Sequence, residues 1–382
     1  MWLRHDVPVG SEGRWWPEQL EPYESAVLGG TGDRGDPHPD VLVVGGGIVG
    51  VAVARALEAA GVGSVTLVER DALGSGATGG AAGLLTPEPH VGVDLDALVE
   101  LGRKSLDGWR RLEAEVPGGV GLVELEWLGL LPDGDDASAR SPHGELVGTE
   151  EVARIVPGLA APARGLRIGG QARVNPLRAL ARLAAPLRHV ATGVRVLGAT
   201  VQRGRITAVA TTHGRFSPGA VVFAMGTPPD VVGLAIAIPS DVVRGHILVT
   251  EPLALRFPGT VDPLGTPLGD GRLLVGGTLD HGAHDPRVDP AIVAGMVDEL
   301  TAWTTALGPV RVDRAWCCFR PHHPDGLPTI DRVRGVDNAW FTSGHYRTGI
   351  LMAPATAAVL TEWLCSGQAP PRAAPFSQDR LS

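Results

Sequence analysis

The chain has 382 residues, of which 44% are hydrophobic and 20% charged, and it carries a formal net charge of -9. That length fits two intertwined domains rather than one simple core, and the make-up is that of a globular protein. The negative charge excludes nucleic-acid binding by a basic surface and gives no support for docking on anionic lipid. Three cysteines, two of them adjacent, cannot build a disulfide framework, so the expected compartment is the reducing cytoplasm.

Residues 1–37 read as an arm. Arg4, His5, Asp6, Pro8, Glu12 and Arg14 interrupt any apolar run at its start, so a secretory signal is not expected. Trp2, Trp15 and Trp16 lie in the arm; disordered tails are usually poor in aromatics, so it either packs on the body or trails as a loose leader. Val41 to Val44 then forms a continuous apolar strand, as in a sheet buried on both faces. Residues 48–60 are an Ala-rich helix closed by Gly61 and Gly63, and residues 64–69 the next strand. The three glycines after Val44, and Arg55 beyond them, exclude a membrane span here.

Between the first strand and its helix stands Gly45-Gly46-Gly47-Ile48-Val49-Gly50. In such a G-x-G-x-x-G, Gly45 permits the tight turn, Gly47 brings the backbone to a pyrophosphate, and Gly50 lets helix and strand pack. The helix N-terminus offers free N–H groups and a partial positive charge to phosphate. Glu69, nineteen residues after Gly50, ends the second strand where a carboxylate binds ribose hydroxyls. The fingerprint alone does not separate FAD from NAD. The loop that follows does: Leu73 to Leu85 is almost all small residues, with Thr78 offering a hydroxyl, and it lets a large cofactor lie against main chain. FAD is the cofactor this favours.

Further along, residues 94–115 and 177–187 read as helices, and residues 193–197 and 220–224 as strands, the latter ending at Met225-Gly226. Residues 272–276, 310–319 and 339–342 are expected strands, and residues 350–365 the last helix. Arg320 sits at the end of an apolar strand that Pro321 breaks, and Arg347 in a turn before the last helix. A planar guanidinium is the better partner for an amino-acid carboxylate, though both could be surface ion-pair formers. The N-terminus of the last helix, near Gly349-Ile350, would stabilise negative charge on a reduced flavin.

The glycine motif, the small-residue loop, Phe319-Arg320-Pro321, Pro324-Asp325-Gly326-Leu327-Pro328 and the run Gly344 to Thr356 together resemble the D-amino acid oxidase (DAO) superfamily, the glycine oxidases in particular. The resemblance spans about residues 38–368 and is strongest at both ends. It implies an α/β fold: a Rossmann-like FAD-binding domain of the GR2/DAO type interleaved with an antiparallel-sheet α+β substrate domain. The expected division is an arm at 1–37; an FAD-binding domain from 38–120, 160–238 and 316–368; a substrate domain from 121–159 and 239–315; and a tail at 369–382.

Carried across by position, Gly45, Gly47, Ile48, Val49, Gly50, Glu69, Arg70, Ala77, Thr78, Ala82, Gly83 and Leu84 would hold the FAD, with Val194 on its adenine side. His345, Tyr346, Arg347, Thr348, Gly349, Ile350 and Leu351 would run past the isoalloxazine, while Arg320 and Arg347 would bind the substrate carboxylate. The resemblance implies an oxidase in which a hydride passes from the carbon beside the amine to FAD, the imine is hydrolysed, and oxygen is reduced to hydrogen peroxide. Substrate and O2 are then the expected partners, with no nucleic acid and no membrane span, and a homo-oligomer is compatible with the reading.

Glycine oxidases usually place a carboxylate-holding Tyr where this chain has Leu264. A more apolar pocket then points to an N-substituted glycine, cleaved to glyoxylate and an amine, as in some relatives of secondary metabolism. The alternatives are a D-amino acid or sarcosine-type dehydrogenase with a non-oxygen acceptor, and a flavin-binding protein without turnover. FAD is expected to bind noncovalently; the other reading is a tether through Cys318, which stands six residues before Pro324-Asp325 as the tethering Cys does in monomeric sarcosine oxidase. His322 and His323 are expected in an exposed turn, and with His246 they lack metal-ligand spacing; no metal is expected.

Overall fold

A run of four apolar residues needs a sheet covered on both faces, and Val41–Val44 has one. In a computed structural model describing residues 11–30, 35–88, 95–132, 144–234 and 236–381, this strand is buried throughout. Trp2, Arg4, His5, Asp6, Pro8 and Asp94 lie outside the described residues. The sheet around it has the order Thr329–Arg332, Ala339–Ser343, Ala220–Gly226, Val41–Val44, Val65–Val68, His189–Ala191. Its neighbours are parallel except at the Thr329–Arg332 edge.

Successive side chains of a strand point to opposite faces. Val41 and Val43 enter the larger core with Ile48, Val51, Leu57, Trp109 and Leu180. Leu42 and Val44 enter another with Ile206, Val209 and Phe216, under the three-stranded antiparallel sheet of Val196–Gln202, Arg205–Thr211 and Gly214–Phe216. The expected strand at 193–197 is corrected: Gly193, at φ 73°, turns the chain and the strand begins at Val196.

The long antiparallel strands form two further sheets. Val312–His322 pairs with Asp241–Thr250 along its length, and Leu273–Gly276 pairs on the other side of Asp241–Thr250. Val123–Pro132 pairs with Ala163–Arg173. The division expected at 315/316 thus falls inside the Val312–His322 strand, and that at 159/160 precedes a strand paired with residues 123–132. Pro321 does not break its strand, contrary to the reading above. Among the described residues its outer side meets only the isolated His322–His345 bridge and no named strand, so the missing N–H costs no ladder bond.

The last helix, Gly349–Ser366, has the length and hydropathy of a membrane span but packs as a core helix, its Ile350, Leu351, Met352, Val359 and Leu360 buried. Pro354 has no N–H for the Ile350 carbonyl. Trp109 supplies the missing donor through Nε1 at 3.0 Å. Ser105 patches the next position, its hydroxyl donating to the Leu351 carbonyl at 2.6 Å and accepting from the Ala355 N–H at 3.0 Å. Both residues belong to the Asp96–Glu115 helix, which therefore sets where the last helix begins.

Candidate active site

Ligands of open α/β sheets sit beyond the carboxyl ends of the strands, where neighbouring connections diverge. A cavity of about 510 Å³ opens there, between Val44-Gly45, Val68-Glu69 and Ala224-Met225-Gly226.

One end is built by the glycine turn. Gly45 has φ 116°, and a Cβ at Gly50 would lie 2.0 Å from the Gly45 carbonyl oxygen, so the helix approaches the strand only without a side chain there. Thr78 Oγ1 accepts from the Ile48 N–H at 3.0 Å, tying the small-residue loop to the helix start. The Glu69 carboxylate accepts from the Gly46 N–H at 2.6 Å and the Asp71 N–H at 3.0 Å. That holds the turn while Glu69 remains in the cavity wall. Arg70, Ala77, Ala82, Gly83, Leu84 and Val194 line the same region.

The other end is built by two strands and the last helix. Alternation along Val312–His322 places Trp316, Cys318 and Arg320 on one face; Trp316 Nε1 donates to the Gly80 carbonyl at 3.0 Å, while Cys318 and Arg320 reach the cavity. Arg320 donates through Nη1 to the Thr278 carbonyl at 2.9 Å. A Cβ at Gly245 would stand 2.2 Å from its Nη1, and one at Gly277 2.5 Å from its Nη2; the guanidinium lies in a slot cut by glycines. His345, Tyr346, Arg347, Gly349 and Ile350 complete the wall. Tyr346 is in the left-handed region, at φ 48°, where a bulky residue is rare. Its N–H donates to the Pro321 carbonyl at 2.7 Å and its ring meets His322 edge-on at 4.6 Å.

The electrostatics at this end are cationic. Burial, and then the nearby charge of Arg320, lowers the pKa of Arg347. Burial pushes the Cys318 thiol up. Burial also drives His345 down to about 3, so its imidazole is neutral beside the Thr356 hydroxyl, 3.1 Å from Nε2.

Residues 40–363 match the family described as DAO, FAD dependent oxidoreductase. The chain belongs to this family. A glycine oxidase of Pseudomonas aeruginosa is 30% identical to it over 354 residues, 86% of this chain and 95% of that protein. The crystal structure of glycine oxidase from Geobacillus kaustophilus has a TM-score of 0.79 at 26% identity, covering 90% of this chain and 98% of that one. L-proline dehydrogenase from P. horikoshii reaches the same TM-score at 21% identity, covering 90% and 97% of the two chains, a likeness of fold.

The cavity of this FAD-dependent oxidoreductase fits its cofactor. The helix N-terminus at Gly47-Ile48 faces it, and of the wall residues between Gly74 and Ala82 only Ser75 and Thr78 carry a side chain beyond Cβ. Three of the expected cofactor residues stand behind the wall. Gly50 packs on Gly45; Thr348 is buried with its hydroxyl donating to the His345 carbonyl at 2.9 Å. Leu351 turns into the core, 2% exposed. Leu264 is fully buried among Leu128, Leu130, Leu248 and Val275 and is not part of the wall, so it does not itself make the pocket apolar.

His323 is corrected from exposed to fully buried, with Nδ1 donating to the Pro239 carbonyl at 2.7 Å and Nε2 accepting from the Ser343 hydroxyl at 3.0 Å. His322 is half-buried, and His246, fully buried, takes the Asp289 N–H at 3.1 Å and stays away from the cavity. The wall also holds residues not read as site residues from the sequence: Met225, Thr227, Ile247, Gly276, Gly277 and Pro321 among them. The strand-end rule could have found Met225 and Thr227. Ile247 and the glycine pair carry no local signal, because they arrive through long-range pairing.

Proposed function

We propose that this enzyme oxidises glycine or, in preference, an N-substituted glycine, releasing glyoxylate and an amine. The observation that carries the reading is the pair of guanidiniums at one end of the cavity: Arg320 in its glycine slot and Arg347 with its pKa lowered by burial and by Arg320. Two cations in a confined space call for an anion, and an α-carboxylate supplies it. Among the described wall residues the carboxylates are Glu69, bonded at the dinucleotide end, and Asp230, and Asp262 acts on Arg347 against the effect of burial and Arg320. Beside two cations an amine is favoured in its neutral form, which is the form that releases hydride.

When bound, FAD would supply the acceptor for that hydride from the carbon beside the amine. The chain's own part is positional. Arg320 and Arg347 would hold the carboxylate, and the Gly349-Ile350 end of the last helix, in the cavity wall, would present its positive dipole to a bound flavin. Ile247 and Gly277 beside Arg320 are apolar or small, which leaves room for a substituent on nitrogen. Dioxygen is the acceptor in this reading, and the cytoplasm the compartment, in keeping with three free cysteines.

The test is anaerobic flavin bleaching with glycine, sarcosine, longer N-alkyl glycines, D-alanine and proline, followed by a peroxide assay in air. N-alkyl glycines are expected to bleach faster than glycine. Free glycine turning over well above them would end the preference. Bleaching without peroxide would favour a dehydrogenase.

A further inference from the structure

The family match begins at residue 40, yet residues before it reach the cofactor loop. We propose that the arm is a working part of the FAD site, in which Arg14 and Trp16 are positioning residues that hold the loop of residues 74–82 in its cofactor-ready shape.

The contacts fall at both ends of that loop. Arg14 donates through Nη2 to the Ser75 carbonyl at 2.9 Å and through Nη1 to the Gly74 carbonyl at 3.4 Å. Trp16 donates through Nε1 to the Ala81 carbonyl at 2.7 Å. The Leu28 carbonyl accepts from the Leu73 N–H at 3.0 Å, one residue before the loop. Fit is mutual: a Cβ at Gly79 would lie 2.6 Å from Arg14 Nη1. The recorded hydrogen bonds of Arg14 go to carbonyl oxygens and not to a carboxylate, so its charge is spent on backbone.

The arm is itself anchored on three sides. Glu24 is fully buried and paired with Arg178 at 3.3 Å and Arg182 at 2.7 Å, both on the Pro176–Ala184 helix. Trp15 lies under the Arg272 guanidinium at 5.0 Å. Ser11–Glu12 adds a parallel strand beside Arg314 and Ala315, on the strand that also carries Cys318 and Arg320. Leader residues thus connect the loop to the sheet of the carboxylate site.

The physical need is clear from composition. A run so rich in Gly and Ala has almost no side chains with which to anchor itself and loses much conformational freedom on ordering. If it were free before FAD arrives, binding would bear that ordering cost; a pre-formed loop avoids it. Opening of such a loop is local and does not require unfolding of the core.

The experiment uses the full chain with its flavin. Arg14→Ala removes one clamp, and Trp16→Phe keeps a ring in the core while deleting only the N–H donor and the second ring. FAD affinity is read by flavin fluorescence on dilution and by titration of the FAD-free protein, and melting temperatures are taken with and without FAD. Each variant is expected to bind FAD about tenfold more weakly, the scale of losing one or two such hydrogen bonds, with a smaller loss of melting temperature in the FAD-free protein than in the FAD-bound one. Affinities within about twofold of the parent in both variants, or a melting loss equal with and without FAD, overturn the proposal.

Discussion

Arg347 and Arg320 share one end of the cavity, and the charge of Arg320 adds to burial in lowering the pKa of Arg347. Like charges held together in a partly desolvated site are unfavourable until an anion arrives. Replacing either by Ala is expected to lower kcat/KM for a carboxylate-bearing amine by about a hundredfold or more, the scale for breaking a buried charged hydrogen bond. Arg320→Lys keeps the charge but loses the planar fork, and should recover only part of the loss. Steady-state kinetics decide; an unchanged KM in both Ala variants would place the carboxylate elsewhere.

Gly245→Ala tests the slot. The new Cβ would fall 2.2 Å from Arg320 Nη1 and 2.5 Å from the Thr278 carbonyl oxygen. Arg320 must then leave that carbonyl. Activity should fall toward that of Arg320→Ala while FAD titration stays near the parent's, since the cofactor turn is untouched. Overpacking of this kind also costs about 1–3 kcal/mol of stability.

Ser105→Ala tests the join between the two long helices. The Leu351 carbonyl keeps Trp109 Nε1 at 3.1 Å, but the buried Ala355 N–H loses its recorded partner. An orphaned buried donor costs about 1–3 kcal/mol. Denaturant unfolding should show a lower midpoint at an unchanged slope; an unchanged midpoint would mean the helix closes the gap by itself.

Acid sensitivity follows from His345. Its folded pKa is depressed from 6.5 to about 3 by burial, so the unfolded chain takes up a proton that the folded protein refuses. Its stabilisation is present above about pH 6.5 and is lost as pH falls toward 3, by up to about 1.4 kcal/mol per pH unit. His246, His322 and His323 are shifted the same way, burial first. Melting temperature is expected to fall on acidification below about pH 6.5, and His345→Gln to flatten that fall. A parallel curve for the variant would show that His345 is not responsible.

Cys318 lines the cavity, but burial raises its thiol pKa, and the thiolate is the nucleophile a tether would need. Acid denaturation followed by filtration should pass the yellow colour. Colour retained with the protein, and released by Cys318→Ala, would establish the tether instead.

Much of the dinucleotide end was legible because its signals are local. The glycines of residues 45–50, the burial of Val41–Val44 on both faces and Glu69 at a strand end each follow from a few neighbouring residues. The small-residue loop was legible for the same reason, as a composition without side chains. The arginines were named by type and by motif, and both reach the cavity wall.

What the sequence determined by itself was thus the cofactor turn, its flanking strands and the identity of the two cations. Tertiary structure decided which residues meet them. Gly245 and Gly277 form the slot for Arg320 only because Asp241–Thr250 pairs with two strands at once. Leu264, adjacent to Asp262-Pro263 in the chain, goes instead into a core with Leu128 and Leu248. Arg14 and Trp16 become cofactor-loop residues across some sixty positions of chain. Contacts at such separations depend on strand register and on which face is buried, and neither is written in any short window of residues.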